Sequence, residues 1–190
     1  MSEKRILAIN PGSTSTKIAV YEGNKSIFLK TLRHSTEELK DFNHIAEQFQ
    51  FRREIILSEL QAAGIEVSSL GVIVGRGGLV KPIPSGVYEV NDALVEDLKR
   101  GVLGEHASNL GGLIALDIAK SIDGARAFIA DPVVVDELQD VARISGLPQL
   151  PRISIFHALN QKAIARTYAK SVNRRYEELN LIVAHLGGGI

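Results

Sequence analysis

The stretch Ile6-Leu-Ala-Ile-Asn-Pro-Gly-Ser-Thr-Ser-Thr-Lys-Ile-Ala-Val-Tyr21 decides the fold. A short apolar run over residues 6–9 and a second strand-like segment, Lys17 to Tyr21, flank a loop of turn formers, which predicts a β-hairpin. Gly23-Asn24 can then supply positive φ at a tight turn before a third strand over residues 26–32, so the sheet opens antiparallel. The hairpin loop sets consecutive hydroxyls, Ser13 to Thr16, beside Gly12 and ahead of Lys17. Backbone N–H groups freed by the turn, hydroxyl donors and a cation can together cradle a phosphate oxygen by oxygen. A polar turn with a solvated lysine reads the same in local sequence. The segment is not a P-loop, because Lys17 follows no glycine and no helical pattern follows it.

Outward from the hairpin, apolar residues at positions 42, 45, 46, 49, 56, 60 and 63 recur at helical spacing, and Gly64 supplies a stop. Residues 70–75 read as a buried central strand that empties into Arg76-Gly77-Gly78. Asn91 or Asp92 can cap one helix, and Ser108 or Asn109 another. Residues 127–130 form a further strand that Asp131-Pro132 ends. Gly146, Pro148 and Pro151 mark an irregular linker. A helix is expected from His157 to about Val172, and a buried strand over residues 179–184 runs into His185-Leu-Gly-Gly-Gly189.

The 190 residues suffice for an ordinary core, and 45% hydrophobic with 23% charged residues describes a chain that folds. Lys and Arg total 22 and so do Asp and Glu, which leaves no general field to attract nucleic acid or anionic lipid. With no cysteine there is no disulfide, thiol catalysis or Cys-ligated zinc, and a cytoplasmic setting is the default. The longest uncharged stretch near the middle, residues 107–116, is well short of the roughly 20 apolar residues of a membrane span.

Several residues outside the hairpin have chemistry to offer. Gly187, Gly188 and Gly189 follow a strand and His185, where a backbone without Cβ atoms can approach an anion closely; a plain flexible terminus has the same composition. Arg76 ends a buried strand, where ligands collect on open α/β sheets, and its fork can grip a carboxylate or phosphoryl group. Asp131 also ends a strand and can present a carboxylate to Mg²⁺, or can serve a simple turn. His106 and His157 sit at a loop or helix start, where an imidazole can donate to developing negative charge, although lone histidines more often cap or pack. His34 and His44 lie among surface-like residues and are given no role. No HExxH motif, metal-spaced His cluster or Ser-His-Asp pattern is legible.

The order of these pieces resembles the acetate and butyrate kinase family: Asn10-Pro-Gly-Ser-Thr-Ser-Thr-Lys17, Gly75-Arg-Gly-Gly78, Glu105-His106, Asp131-Pro132, Phe156-His157 and His185-Leu-Gly-Gly-Gly189. The likeness runs through the whole chain. It implies an α/β fold of the ribonuclease-H-like kind seen in actin, Hsp70 and sugar kinases. Residues 1–132 would form the first such domain with a mixed sheet, and residues 133–190 a linker and the beginning of a second. ATP or ADP would lie in the cleft between domains. By this resemblance Asn10, Gly12, Ser13, Ser15 and Lys17 belong to a first phosphate loop, and His185 with Gly187 to Gly189 to a second. Arg76 would hold the carboxylate or the transferring phosphoryl, His157 would stabilise it, Asp131 would serve the Mg²⁺, and His106 would be a further active-site histidine.

The implied reaction converts ATP and a short aliphatic carboxylate to an acyl phosphate and ADP, reversibly, in a cytoplasmic enzyme that is homo-oligomeric in its full-length form. Such an acid is already ionised at neutral pH, so positioning and charge neutralisation remain to be supplied rather than a general base. A relative acting on acetate or propionate, another actin-like kinase acting on a sugar or polyphosphate, and a non-catalytic module that binds a phosphate or a partner stand beside this reading. An end immediately after three glycines, and before any adenosine-binding segment, predicts a truncated chain that is inactive alone.

Overall fold

The computed structural model describes residues 4–186. Its strands are β1 (Arg5–Pro11), β2 (Ser15–Glu22), β3 (Lys25–Arg33), β4 (Leu70–Arg76), β5 (Val87–Glu89) and β6 (Arg126–Ala130). The helices are α1 (Thr36–Leu39), α2 (Phe49–Ala62), α3 (Asp92–Arg100), α4 (Asn109–Lys120), α5 (Asp140–Arg143) and α6 (Ala158–Ser171). The strands form one mixed sheet in the order β3-β2-β1-β4-β6-β5. The opening hairpin pairs antiparallel as its turn residues require, with Gly23 taking φ 53° between β2 and β3. β4 then joins β1 in parallel, β6 joins β4 in parallel, and β5 closes the edge antiparallel. The sheet is thus the mixed α/β kind expected.

Strand alternation sorts the residues onto two faces. Leu7, Ile9, Ile18, Ile73 and Ile129 point to one face and are buried there with Ile56 and Leu60 of α2 and Leu110, Ile114 and Ile118 of α4. Asn91 caps α3 by accepting the N–H of Leu94, and Gly101 ends that helix in the left-handed conformation. The helix expected from residue 42 begins only at Phe49. Glu47 accepts the N–H groups of Asn43 and His44, which diverts the preceding residues into a 3₁₀ turn, Ile45–Gln48.

The chain divides into two compact units, one comprising residues up to Lys81 with Gly86–Ala130, the other Pro82–Ser85 with the residues from Asp131 onward. The second holds α5, α6 and a parallel bridge between Ile83 and Val135. The buried strand expected over residues 179–184 is not formed among the described residues: 181–186 carry no ladder, and Ile182 is fully exposed. Apolar β-branched side chains favour a strand only when a neighbour accepts its hydrogen bonds and covers its face.

Candidate active site

β1 and β4 end where the antiparallel β2 begins, and residues from the three strands make a row there. Asn10 is the cross-strand partner of Lys17, and the next pair along, Ile9 with Gly75, sets Arg76 beside Asn10. Gly75 faces α4, so alternation sends Arg76, Asn10 and Lys17 to the opposite face of the sheet. Arg76 Nη1 lies 3.4 Å from Asn10 Oδ1. Burial pushes the Arg76 guanidinium down from its ordinary value, yet an arginine keeps its charge in proteins. Lys17 is exposed and makes no ion pair among the described residues. Two cations flanking an amide at one end of the sheet's inner strands make a receptor for an anion.

The loop above this row is folded tightly. Gly12 N–H donates to Ser15 O at 2.7 Å, while Ser13 and Thr14 are exposed and Ser15 is half-buried. Thr16 turns the other way and is fully buried, so the run of hydroxyls is split between ligand side and core side. On the core side stands Arg52 of α2, also fully buried, donating to Ser13 O at 3.1 Å, Ser15 O at 3.2 Å, Thr16 Oγ1 at 2.9 Å and Gln48 Oε1 at 2.8 and 3.0 Å. Sequence reading missed Arg52, since an arginine on an amphipathic helix is ordinarily a solvated one. His34, read as a surface residue, is buried instead: its Nε2 lies 2.9 Å from Thr16 Oγ1 and its ring meets Phe51 edge-on. Burial first, then Arg52, pushes its pKa down.

The glycines around Arg76 serve packing. A Cβ on Gly75 would overlap the backbone of Gly111, one on Gly111 would overlap the Arg76 carbonyl, and one on Gly78 would overlap Asn109. α4 therefore lies directly against the end of β4, and Asn109 Oδ1 accepts the N–H of Leu79 at 2.8 Å. His106, just before α4, is exposed, and its Nδ1 accepts the Ser108 N–H at 3.2 Å with Ser108 Oγ at 2.8 Å. A backbone N–H can only donate, so a neutral His106 carries its proton on Nε2.

The second unit holds the remaining candidates. Asp131 has φ 33°, a left-handed conformation that costs a side-chain-bearing residue energy, and it accepts the Ser85 hydroxyl on Oδ1 at 2.7 Å. His157, the residue preceding α6, places Nδ1 3.2 Å from His185 Nε2, with ring centroids 4.5 Å apart. The structure thus brings these two histidines together. Gly187, Gly188 and Gly189 lie outside the described residues. Among the described residues no group of three or more His, Asp or Glu side chains could hold a metal ion. Asp131, a buried carboxylate, is the residue that could hold Mg²⁺, which keeps several waters and takes one or two protein oxygens beside phosphates. No helix among the described residues is long and apolar enough to cross a membrane.

No family model matches the chain. Butyrate kinase 1 of Clostridium acetobutylicum is 64% identical to it over 185 residues, 97% of this chain and 52% of that protein. Butyrate kinase 2 of the same organism is 58% identical over 186 residues, with 98% and 52% covered. Over nearly its whole length the chain is similar to these butyrate kinases. It spans about half the length of the curated relatives it matches. The crystal structure of acetate kinase from Porphyromonas gingivalis shares its fold with a TM-score of 0.64 at 14% identity, covering 91% of this chain and 50% of that one. A propionate kinase from Francisella tularensis gives 0.59 at 14% identity, with 90% and 50% covered. The fold is therefore the ribonuclease-H-like one that these acetate and propionate kinases share.

Proposed function

We propose that the protein carrying this chain transfers the γ-phosphoryl group of ATP to the carboxylate of butyrate or a branched short-chain acid, reversibly, in the cytoplasm. The observation that carries this reading is the Lys17, Asn10 and Arg76 row beneath a hydroxyl-bearing loop, a set of donors with no general base in it. The substrate acid needs none, being ionised already. What the reaction does need is screening of repulsion between two anions, and stabilisation of charge on the transferring group. Lys17, Asn10, Ser13 and Ser15, with Gly12 closing the loop through its N–H to Ser15 O, would hold the phosphate tail. Arg76 would hold the carboxylate or the phosphoryl in transit, and His106, on the same unit, would be a further active-site histidine. Asp131 would hold Mg²⁺, which supplies charge neutralisation at the phosphates, and His157 and His185 would donate to phosphoryl oxygens. The boundary near residue 132 would separate two ribonuclease-H-like domains, and the whole protein would be a homo-oligomer.

A coupled assay of the protein with butyrate, isobutyrate, acetate and glycerol tests the reading. Acyl phosphate is expected from butyrate and isobutyrate, with acetate slower, because each methylene in an apolar pocket is worth only about 1–3 kcal/mol. Phosphorylation of glycerol with none of the acids would overturn it in favour of another actin-like kinase.

A further inference from the structure

We propose that Arg52 is a positioning residue for the 12–16 loop, whose buried guanidinium fixes the loop's carbonyl side and lends its charge to an anion bound on the amide side. The inference rests on the phosphate-binding reading of that loop. Every N–H of the guanidinium is used, and every acceptor is neutral: the carbonyls of Ser13 and Ser15, the hydroxyl of Thr16 and the amide oxygen of Gln48. No ion pair among the described residues includes Arg52. Its neighbour His34 is driven toward the neutral form, and Glu38, which faces His34, is exposed and engaged in capping Ser35.

The loop is polarised as a result. In a trans peptide the C=O and the following N–H point opposite ways, so the Ser13 carbonyl aimed at Arg52 sends the Thr14 N–H outward. The N–H groups of Ser13 and Thr14 make no hydrogen bond among the described residues. A buried charge is poorly screened, so its field reaches through the loop to those amides. Gln48 sits where a glutamate would accept the same two N–H groups and cancel the charge. For stability alone, the neutral amide is the costlier partner for a buried cation.

Gln48→Glu separates the charge from the scaffold. Its Tm should equal or exceed that of the unaltered protein, while calorimetric titration should show affinity for ATP·Mg²⁺ and for pyrophosphate weakened about tenfold, roughly 1.4 kcal/mol. Affinity within about twofold of the original for both ligands would overturn the proposal. Arg52→Lys and Arg52→Gln give a second reading: lysine should retain binding better than glutamine at matched Tm, and equal losses would sink the idea. Turnover of butyrate with unaltered binding in Gln48→Glu defeats this inference and leaves the kinase reading standing. Pyrophosphate binding that weakens in Gln48→Glu, in a protein that phosphorylates no carboxylate, does the reverse. An unaltered protein that binds neither ligand defeats both.

Discussion

The two units treat their apolar residues differently. In the first, most isoleucines and leucines of β1, β2, β4, β6 and α4 are buried between sheet and helices, and Ile18, Ile73, Ile114 and Ile129 have no exposure at all, although Leu29 on β3 is exposed. In the second, α6 buries only Ala158, Ala165 and Ala169, while Ile144, Leu150, Ile153 and Ile164 stand more than half exposed. A sheet supplies a broad face that one helix layer can close, whereas a lone helix beside loops has no such partner. The first unit has the interior of a self-sufficient core, and its candidate ligand groups stand on a rigid frame. The second holds Asp131, His157 and His185 on elements with little buried behind them.

The largest effect should come from neighbouring residues that point to opposite faces of β4. Arg76→Ala should lower kcat of the proposed butyrate phosphorylation about 10²–10³-fold, with Tm and ATP binding kept, as for loss of one charged transition-state donor. Gly75→Ala should do the opposite, since its new methyl would meet the backbone of Gly111 rather than a side chain that can turn away. A loss of about 3 kcal/mol or more is expected there, read by urea unfolding. If Arg76→Ala unfolds the protein, or Gly75→Ala leaves stability unchanged, the division between site face and packing face of β4 is wrong. Next in size, Ile114→Ala should cost about 2–5 kcal/mol by leaving a cavity, while Ile153→Ser in the second unit should stay within about 0.5 kcal/mol. Equal costs for the two would break the contrast between the units.

The hairpin and the antiparallel opening of the sheet were legible because short apolar runs bounded by turn formers and a Gly-Asn turn leave few alternatives, and Arg76 was found because a strand ends at it. The glycines carried a signal that was read too narrowly. Gly111 and Gly112 inside a helical pattern weaken that helix, which is tolerable when a backbone must come close, and Gly75 and Gly78 are the places it comes close to. Arg52 and His34 could not be placed by any local pattern, because what buries them is a hydrogen-bond set assembled from residues 13 to 16 and residue 48, distant in sequence from His34. The stretch 179–184 failed for the complementary reason: its residues suit a strand, but strand formation is decided by a partner. Gln48 and Arg52 are spaced i and i+4, but the same spacing is ordinary on a solvated helix face and carries no sign of burial.

The smallest effect is the most specific to the first unit's interior. Arg52 Nη1 donates to Thr16 Oγ1, so the Thr16 hydroxyl proton is available to His34 Nε2, and the neutral ring then carries its own proton on Nδ1, which is buried without a partner beside Phe51. Protonating Nε2 would force the Thr16 hydroxyl to turn and would set a second cation near Arg52, with exposed Glu38 the one opposing charge. Because the folded pKa is lowered, the unfolded chain binds the proton more readily. Stability from the neutral ring is therefore fully present above the unfolded value near 6.5 and is lost as pH falls below it toward the folded value. One such group changes stability by at most about 1.4 kcal/mol per pH unit. Urea unfolding at several pH values between 7.5 and 5 should show the unaltered protein losing more stability than His34→Gln over this window. Parallel pH profiles for the two would mean that His34 is not held neutral by the Arg52 and Thr16 cluster.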